Sequence, residues 1–583
     1  MKPISTLLTI AMASVLSFNA IAADMIVHNA RINTFDGKSY TAFSVTNGRF
    51  EQLTNDAAAL LAQKTDSTVV IDAQGRRAIP GLNDSHLHVV RGGRFYNLET
   101  RWEGLTSLTD ALALIKRNAA KTPAGQWVRV VGGWSPYQFD EKRMPTSDEL
   151  TAAAPDTPVF VLHLYSGGVL NRKAIELLGL TADTVAPKGS YYEKDADGKL
   201  TGRLIADPNP QILYQTIAAL PQLSKTEQLN SSRQFYRRLL SLGLTSVVDA
   251  GGGGHAFPDD YQASTTLAQS GDLPLRVANY LFPQTPGKEM QSFESWMKHY
   301  QANQNLHLHM DNGYVIEGGG ELLAWKASDY ENFRAQRPEL DKAADAELEQ
   351  IVRLHLRQGW PFRIHATYDE SITRMLNVFD RINKTQPLQQ VRWIIDHAET
   401  VSDANLLRIK QLGGAIAVQG RMAFAGEDFV QRYGAEQAGR TPPLKKMLQL
   451  GIPVGLGTDG TRVASFNPWA TYYWAVTGKT VGGYQLYGED NRLDRLTALK
   501  LFTAGSAYFS GEDQVKGQIK TGMYADFALL NQDVLTVPEQ QLLQTQSELT
   551  VVDGKVRYAS QAHFPALYQA VEPALPAWSP VNR

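Results

Sequence analysis

Two histidines one residue apart close the run Ile79-Pro80-Gly81-Leu82-Asn83-Asp84-Ser85-His86-Leu87-His88. In an extended strand, residues two apart point the same way, so His86 and His88 project together. Two neutral imidazoles on one strand can hold a divalent metal, and zinc is the commonest match for nitrogen ligands. The same spacing recurs in Leu306-His307-Leu308-His309, but no turn-then-strand lead-in precedes it, so it reads as a polar face on a strand or an ordinary surface pair. Company separates the two. His365 follows the apolar run 362–364, His397 follows 393–395 and Asp396, and Asp459 lies in Gly457-Thr458-Asp459-Gly460 after the run 452–457. Four histidines and a carboxylate, each at the end of an apolar run, predict a metal site assembled from several strand ends.

The elements that would position these residues recur along the middle of the chain. Runs at 246–248, 314–316 and 415–418 also end in polar residues, Asp249, Glu317 and Gln419, before a loop and an amphipathic stretch. Continuous apolar strands alternating with helices predict an α/β fold with a parallel sheet. Polar residues at strand ends fit the mouth of a (β/α)8 TIM-type barrel, with a doubly wound open sheet as the rival. About ten candidate strands require an insertion, placed at about 120–240. Short strand-like pieces at 25–28, 44–45 and 69–71 have counterparts at 527–530 and 549–552. Chain ends often lie close together, so these predict a smaller β-sandwich built from both termini. The expected division is 23–80 and 511–583 for the β-sandwich with its tail, and 81–510 for the barrel.

With 57 Lys+Arg against 59 Asp+Glu, the net charge of −2 gives no electrostatic reason to expect nucleic acid or an anionic membrane as partner. A small molecule is the expected partner, with assembly into a homo-oligomer left open. The absence of cysteine excludes disulfide scaffolds, thiolate zinc sites, iron–sulfur clusters and a cysteine nucleophile. A basic start at Lys2, a short apolar stretch and Ala20-Ile21-Ala22 read as a signal peptide over 1–22, cleaved near Ala22. The mature chain is therefore expected outside the cytoplasm, in a bacterial periplasm, without a membrane span. Trp134, His163, Tyr165, Tyr368, Arg421 and Trp469 fall near expected loop mouths and are candidates for an aromatic-walled substrate cavity. The glycine run 251–254 lacks the lysine of a phosphate cradle.

Pro80-Gly81 through His88, Ile364-His365-Ala366, Asp396-His397-Ala398 and Gly457-Thr458-Asp459 together resemble the amidohydrolase superfamily. More narrowly they are similar to its branch that includes N-substituted formamide deformylases. Segments 243–250 and 503–507, and Lys516-Gly517-Gln518-Ile519 before Ala525-Asp526-Phe527, extend the likeness over about residues 25–560. The resemblance implies a metal-bearing (β/α)8 barrel beside a β-sandwich, and metal-assisted hydrolysis of a C–N bond of amide or formamide type. It implies that His86 and His88 hold a first metal, with Asp459 contacting it and acting as proton shuttle. His365 and His397 would hold a second ion or act around the first, giving one or two divalent ions, with zinc expected. Asp84 and Asp396 are candidates to fix the imidazole tautomers. Many relatives carry a carboxylated lysine between two metals, yet no lysine lies from Asp311 to Trp325. Glu317, at the end of its strand, is the favoured replacement, and Glu321, after three glycines, is the alternative. A non-catalytic binding protein on the same frame, or a metal-dependent deaminase or isomerase, are the alternative activities.

Overall fold

The computed structural model describes residues 23–329, 333 and 341–582; the signal peptide read over 1–22 lies outside them. Eight parallel strands form the central sheet: β1 (Leu82–Leu87), β2 (Leu244–Asp249), β3 (Arg276–Leu281), β4 (Tyr314–Gly319), β5 (Phe362–Ala366), β6 (Trp393–His397), β7 (Ala415–Gln419) and β8 (Val454–Gly457). All are buried along their length, as strands covered on both faces must be. The sheet closes between β8 and β1 through the loop that carries Asp459. The Asp459 amide donates to the His86 carbonyl at 2.8 Å, and the His88 amide donates to the Gly460 carbonyl at 3.1 Å. The expected barrel is therefore the observed one. Its seam is made by the residues singled out for chemistry.

The contact of β4 with β5 is the sparsest, a single register pair, Gly319 with Phe362. Beyond it, Gly318 to Gly320 thread between neighbouring strands. A Cβ on Gly318 would lie 2.1 Å from the Pro361 carbonyl, and one on Gly320 2.8 Å from that of Ala250. Only glycine fits such an approach. The run delivers Glu321 to the barrel mouth, where its carbonyl accepts from the His365 amide at 2.8 Å.

Between β1 and β2 the chain inserts a six-stranded mixed sheet running from Glu99–Thr100 to Leu200–Ala206. The expected insertion at about 120–240 is thus displaced. The added sheet begins near residue 99, and the helix Lys225–Leu240 packs against Val89–Phe95 as part of the barrel wall, with the Ser231 hydroxyl donating to the Gly93 carbonyl at 2.6 Å. Two further sheets lie at the chain ends. In one, Phe527–Leu530 pairs antiparallel with Arg77–Pro80, which joins the C-terminal part to the N-terminal part. Phe43, Phe50 and Phe527 meet edge to face in the core between these sheets, at 5.2 and 5.0 Å. A buried ion pair, Arg276 Nε to Asp526 at 2.8 Å, ties this sandwich to the barrel.

Candidate metal centre

His86 and His88 leave β1, His365 lies in β5, His397 ends β6, and Glu321 and Asp459 lie two residues beyond β4 and β8. All six side chains are buried at one mouth of the barrel. They form three overlapping groups whose ligand atoms lie within 4.8 Å of one another: His86, His88 and Glu321; His86, His397 and Asp459; and Glu321, His365 and His397. The His86 ring lies 5.2 Å from those of His88 and His397, and the His365 and His397 rings are 4.4 Å apart. His397 and Asp459 adopt left-handed backbone angles, φ 77° and 56°, which turn the chain sharply where both side chains enter the cluster.

Hydrogen bonds on the far side of each ring decide which nitrogen faces the cluster. His88 Nδ1 donates to the Gly251 carbonyl, which leaves Nε2 facing Asp459 Oδ1 at 3.1 Å. His86 Nδ1 lies 3.1 Å from Asp396 Oδ1, which leaves its Nε2 toward Glu321. His365 Nε2 is 3.2 Å from Asp329 Oδ1, so its Nδ1 faces His397. His397 presents Nδ1 to Arg421 and Asp459 and Nε2 to His365 and Glu321, and so can serve either side of the cluster.

The electrostatics favour a cation. Burial disfavours the His86 imidazolium, yet Asp396 and Glu321 outweigh it and push the pKa up to about 9. Burial likewise opposes ionisation of Asp459 and Glu321, but His88 beside Asp459 and His86 beside Glu321 hold both carboxyls well below their usual range. Asp396 is lowered to about 2 against its burial by Arg363 and His86. His86 Nε2 and Glu321 Oε2 lie 3.1 Å apart, and each is buried with no hydrogen-bond partner among the described residues. Buried polar atoms are rarely left so. A divalent ion between them would satisfy both, so the residues present fit a metal.

Glu317, favoured from sequence, does not join the cluster. Its carboxyl is buried toward the segment 508–516, whose Phe509 packs with Val248, Ala278 and Ile394 inside the barrel. A Cβ on Gly511 would lie 3.3 Å from Glu317 Oε1 and 2.8 Å from Arg392 Nη1. Strand alternation turns Glu317 inward, but the three glycines are needed before the chain reaches the mouth, and Glu321 is the acid that arrives. Asp84 also differs from expectation. Its carboxylate accepts from the amides of His86 and Thr458, both at 3.0 Å, and ties β1 to β8 rather than orienting an imidazole.

Over the mouth opens a cavity of about 660 Å³, roofed in part by the inserted helix Gln211–Ala219. Of the six expected wall residues, Tyr165 and Arg421 line it. Trp134 instead fills the core of the insertion, its Nε1 donating to the Leu162 carbonyl at 3.0 Å, with the His163 ring 5.4 Å away. Trp469 is buried with Nε1 donating to the Leu242 carbonyl, and Tyr368 packs near Phe333. Large rings just past a strand are absorbed by the nearest core, which a loop-mouth position in sequence does not reveal.

Sequence reasoning missed Arg363, Asp329 and Arg91. Arg363 precedes His365 by two on one strand, a same-face spacing that could have flagged it, and its Nε donates to Asp396 Oδ2 at 2.8 Å. Asp329 had no local signal. Arg91 stands three residues past His88, on the helix that follows it.

The profile of the amidohydrolase family matches residues 69–558. An N-substituted formamide deformylase of Arthrobacter pascens is 26% identical over 559 residues, covering 92% of this chain and 98% of its own. A putative amidohydrolase of Bacillus subtilis, YtcJ, is 24% identical over 506 residues, covering 84% of this chain and 90% of its own. Among solved structures, an uncharacterised metal-dependent hydrolase from Pyrococcus horikoshii shares the fold at a TM-score of 0.62 and 23% identity, over 88% of this chain and 99% of its own. Atrazine chlorohydrolase TrzN from Arthrobacter aurescens, complexed with zinc, does so at 0.51 and 15%, over 92% and 95%.

Proposed function

This chain belongs to the amidohydrolase family, and from that premise we propose that it hydrolyses a C–N bond, of amide or formamide type, in a small molecule. One observation carries the reading: six ligand-type side chains converge, buried, on shared space at a barrel mouth. The deformylase relative supports the bond type. Zinc is the proposed metal, as imidazole and carboxylate donors suit it. His86, His397 and Glu321 each belong to two of the three groups, so one or two ions could be held here, with Glu321 as the carboxylate that would stand where many relatives use a modified lysine.

A divalent ion held here supplies a Lewis acid that lowers the pKa of a water and polarises a carbonyl. The chain's own residues do the rest. Asp459 accepts a proton from the attacking water and passes it to the departing nitrogen, so the carboxylate returns to its starting state. Arg421 Nη2 lies 3.1 Å from Asp459 Oδ2, and Arg421 Nη1 lies 3.2 Å from Glu399 Oε1. That pair keeps Asp459 ionised and aimed while its Oδ1 faces His88. The inserted helix Gln211–Ala219 lines the cavity over the mouth through Gln211, Tyr214, Ile217 and Ala218. Elemental analysis of the purified protein, run beside a panel of formamides, amides and esters, tests the reading. Turnover of esters alone, or a metal-free active protein, would overturn it. Export is proposed with it: the mature protein should begin at Ala23, and N-terminal sequencing of a periplasmic fraction that found Met1 would refute this.

A further inference from the structure

Beside the metal-ligand cluster, the cavity has a second polar wall, and it is cationic. Val89–Phe95, the helix after His88, places Arg91 and Arg94 three residues apart on one face, and Arg462 reaches the same cavity from the loop after β8. Arg94 is neutralised by Asp260 at 2.8 Å. Arg91 and Arg462 are not: among the described residues neither has a carboxylate within ion-pair distance. Glu99 acts on both guanidiniums and Asp249 on Arg91, but only from beyond ion-pair distance, and Arg462 also hydrogen-bonds Tyr165. Glu99 is held by Arg101, and Asp249 accepts from the Tyr261 hydroxyl at 3.1 Å. Arg91 is 4% exposed, and its Nε and Nη2 are buried with no hydrogen-bond partner among the described residues. The Arg462 guanidinium lies 5.9 Å over the Tyr214 ring. His255 adds no positive charge, because burial and the surrounding arginines hold its imidazole well below its usual range.

An unpaired buried guanidinium is costly unless a ligand completes it. Its planar fork matches the two oxygens of a carboxylate. The position is close to the chemistry: a methyl on Gly252 would lie 3.3 Å from His88 Nδ1 and 3.6 Å from Arg91 Nη1. The same cavity is lined by Phe95, Tyr214, Phe282 and Trp325, an apolar surface suited to a hydrocarbon or aryl group. We propose that Arg91 and Arg462 form a carboxylate subsite, so that the substrate is an acid-bearing amide whose carboxylate docks there while its scissile carbonyl faces Asp459. This rests on the hydrolase reading for the scissile bond, but the subsite is tested by binding alone.

The probes are N-formylphenylalanine and its uncharged methylamide, titrated calorimetrically into the protein as purified. The acid should bind at least about 10-fold tighter. Arg91→Gln should bring that ratio close to one by weakening the acid far more than the methylamide, and Arg462→Gln should lower it in the same direction should the first variant fail to fold. A ratio near one in the wild type would overturn the subsite. So would a ratio undiminished in the folded variants, since the carboxylate would then sit on the metal or elsewhere. Arginine-dependent selectivity without turnover of either probe or other amides would support the subsite and overturn the hydrolase reading instead.

Discussion

His86 and His88 share their spacing with His307 and His309, and in both pairs the rings meet at 89°, 5.2 Å apart in the first and 6.4 Å in the second. The surroundings differ. The first pair leaves the C-terminal end of a barrel strand and meets Glu321, Asp459 and Asp396 within 3.1 Å. The second lies before β4, in the turn that leads into it. His307 Nδ1 accepts from the His309 amide at 3.0 Å, and Leu308 between them is 70% exposed. No carboxylate among the described residues pairs with either ring, and neither belongs to a metal-capable group. Two imidazoles on one face are thus only half of a site. The other half is the set of carboxylates that a closed barrel brings from β4, β6 and β8 to the end of β1.

Exchanging the two pairs experimentally gives the largest contrast. His86→Ala or His88→Ala should reduce turnover to background with far-UV circular dichroism nearly unchanged, because a mouth residue contributes little to the core below. His307 is buried rather than on the surface as expected, and only His309 is exposed; the His307→Ala/His309→Ala double variant should still stay within about twofold of wild-type turnover, because neither ring reaches the barrel mouth. Comparable losses from both would erase the distinction drawn here.

Next in size is Asp459→Asn, with an expected loss on the order of 100-fold or more, since an amide cannot accept the water's proton. Metal content should fall much less than turnover. Unchanged turnover would remove Asp459 from the chemistry.

The glutamates sharpen the comparison further. Glu321→Gln should lower both metal content and turnover, the latter about 10-fold or more, whereas Glu317→Gln should leave turnover near wild type. The reverse order would restore Glu317 as the ligand.

The last contrast is in stability rather than turnover. Burial, reinforced by Glu512, raises the Glu317 carboxyl from 4.5 to about 8. The folded chain therefore keeps a proton that the unfolded chain releases near pH 4.5. This contribution is fully present below that pH and is lost as pH rises through about 8, at about 1.4 kcal/mol per pH unit across the window. Glu317→Gln should flatten the fall in melting temperature between pH 5 and 8. An equally steep fall in the variant would place the titration elsewhere.

Six of the eight strands, β2 and β4 to β8, were legible as largely apolar runs ending in a polar residue, and β1 through the spacing of His86 and His88, whereas β3, which carries Arg276 and Asn279 inside it, was not read; His365, His397 and Asp459 stood at the ends of the runs that were. The choice between Glu317 and Glu321 was not legible from strand alternation. It depended on how far three glycines carry the chain between crowded carbonyls, which is a property of the neighbouring strands. Trp134 and Trp469 were misplaced for a related reason: an indole beside a strand end can turn into a core or into a cavity, and the partners that decide this, the carbonyls of Leu162 and Leu242, are remote in sequence for Trp469. Arg91 was near enough to His88 to notice, but its lack of a partner is visible only once the surrounding acids are located.

The central claim is that the barrel mouth, and not the second histidine pair, binds metal. Elemental analysis of three parallel preparations tests it directly: wild type, His86→Ala/His88→Ala, and His307→Ala/His309→Ala. The account predicts one to two equivalents of zinc per chain in the wild type and in the His307/His309 variant, and loss of at least the ion held by His86 and His88 in the first variant. Metal retained in full by His86→Ala/His88→Ala, or lost from His307→Ala/His309→Ala, would contradict it.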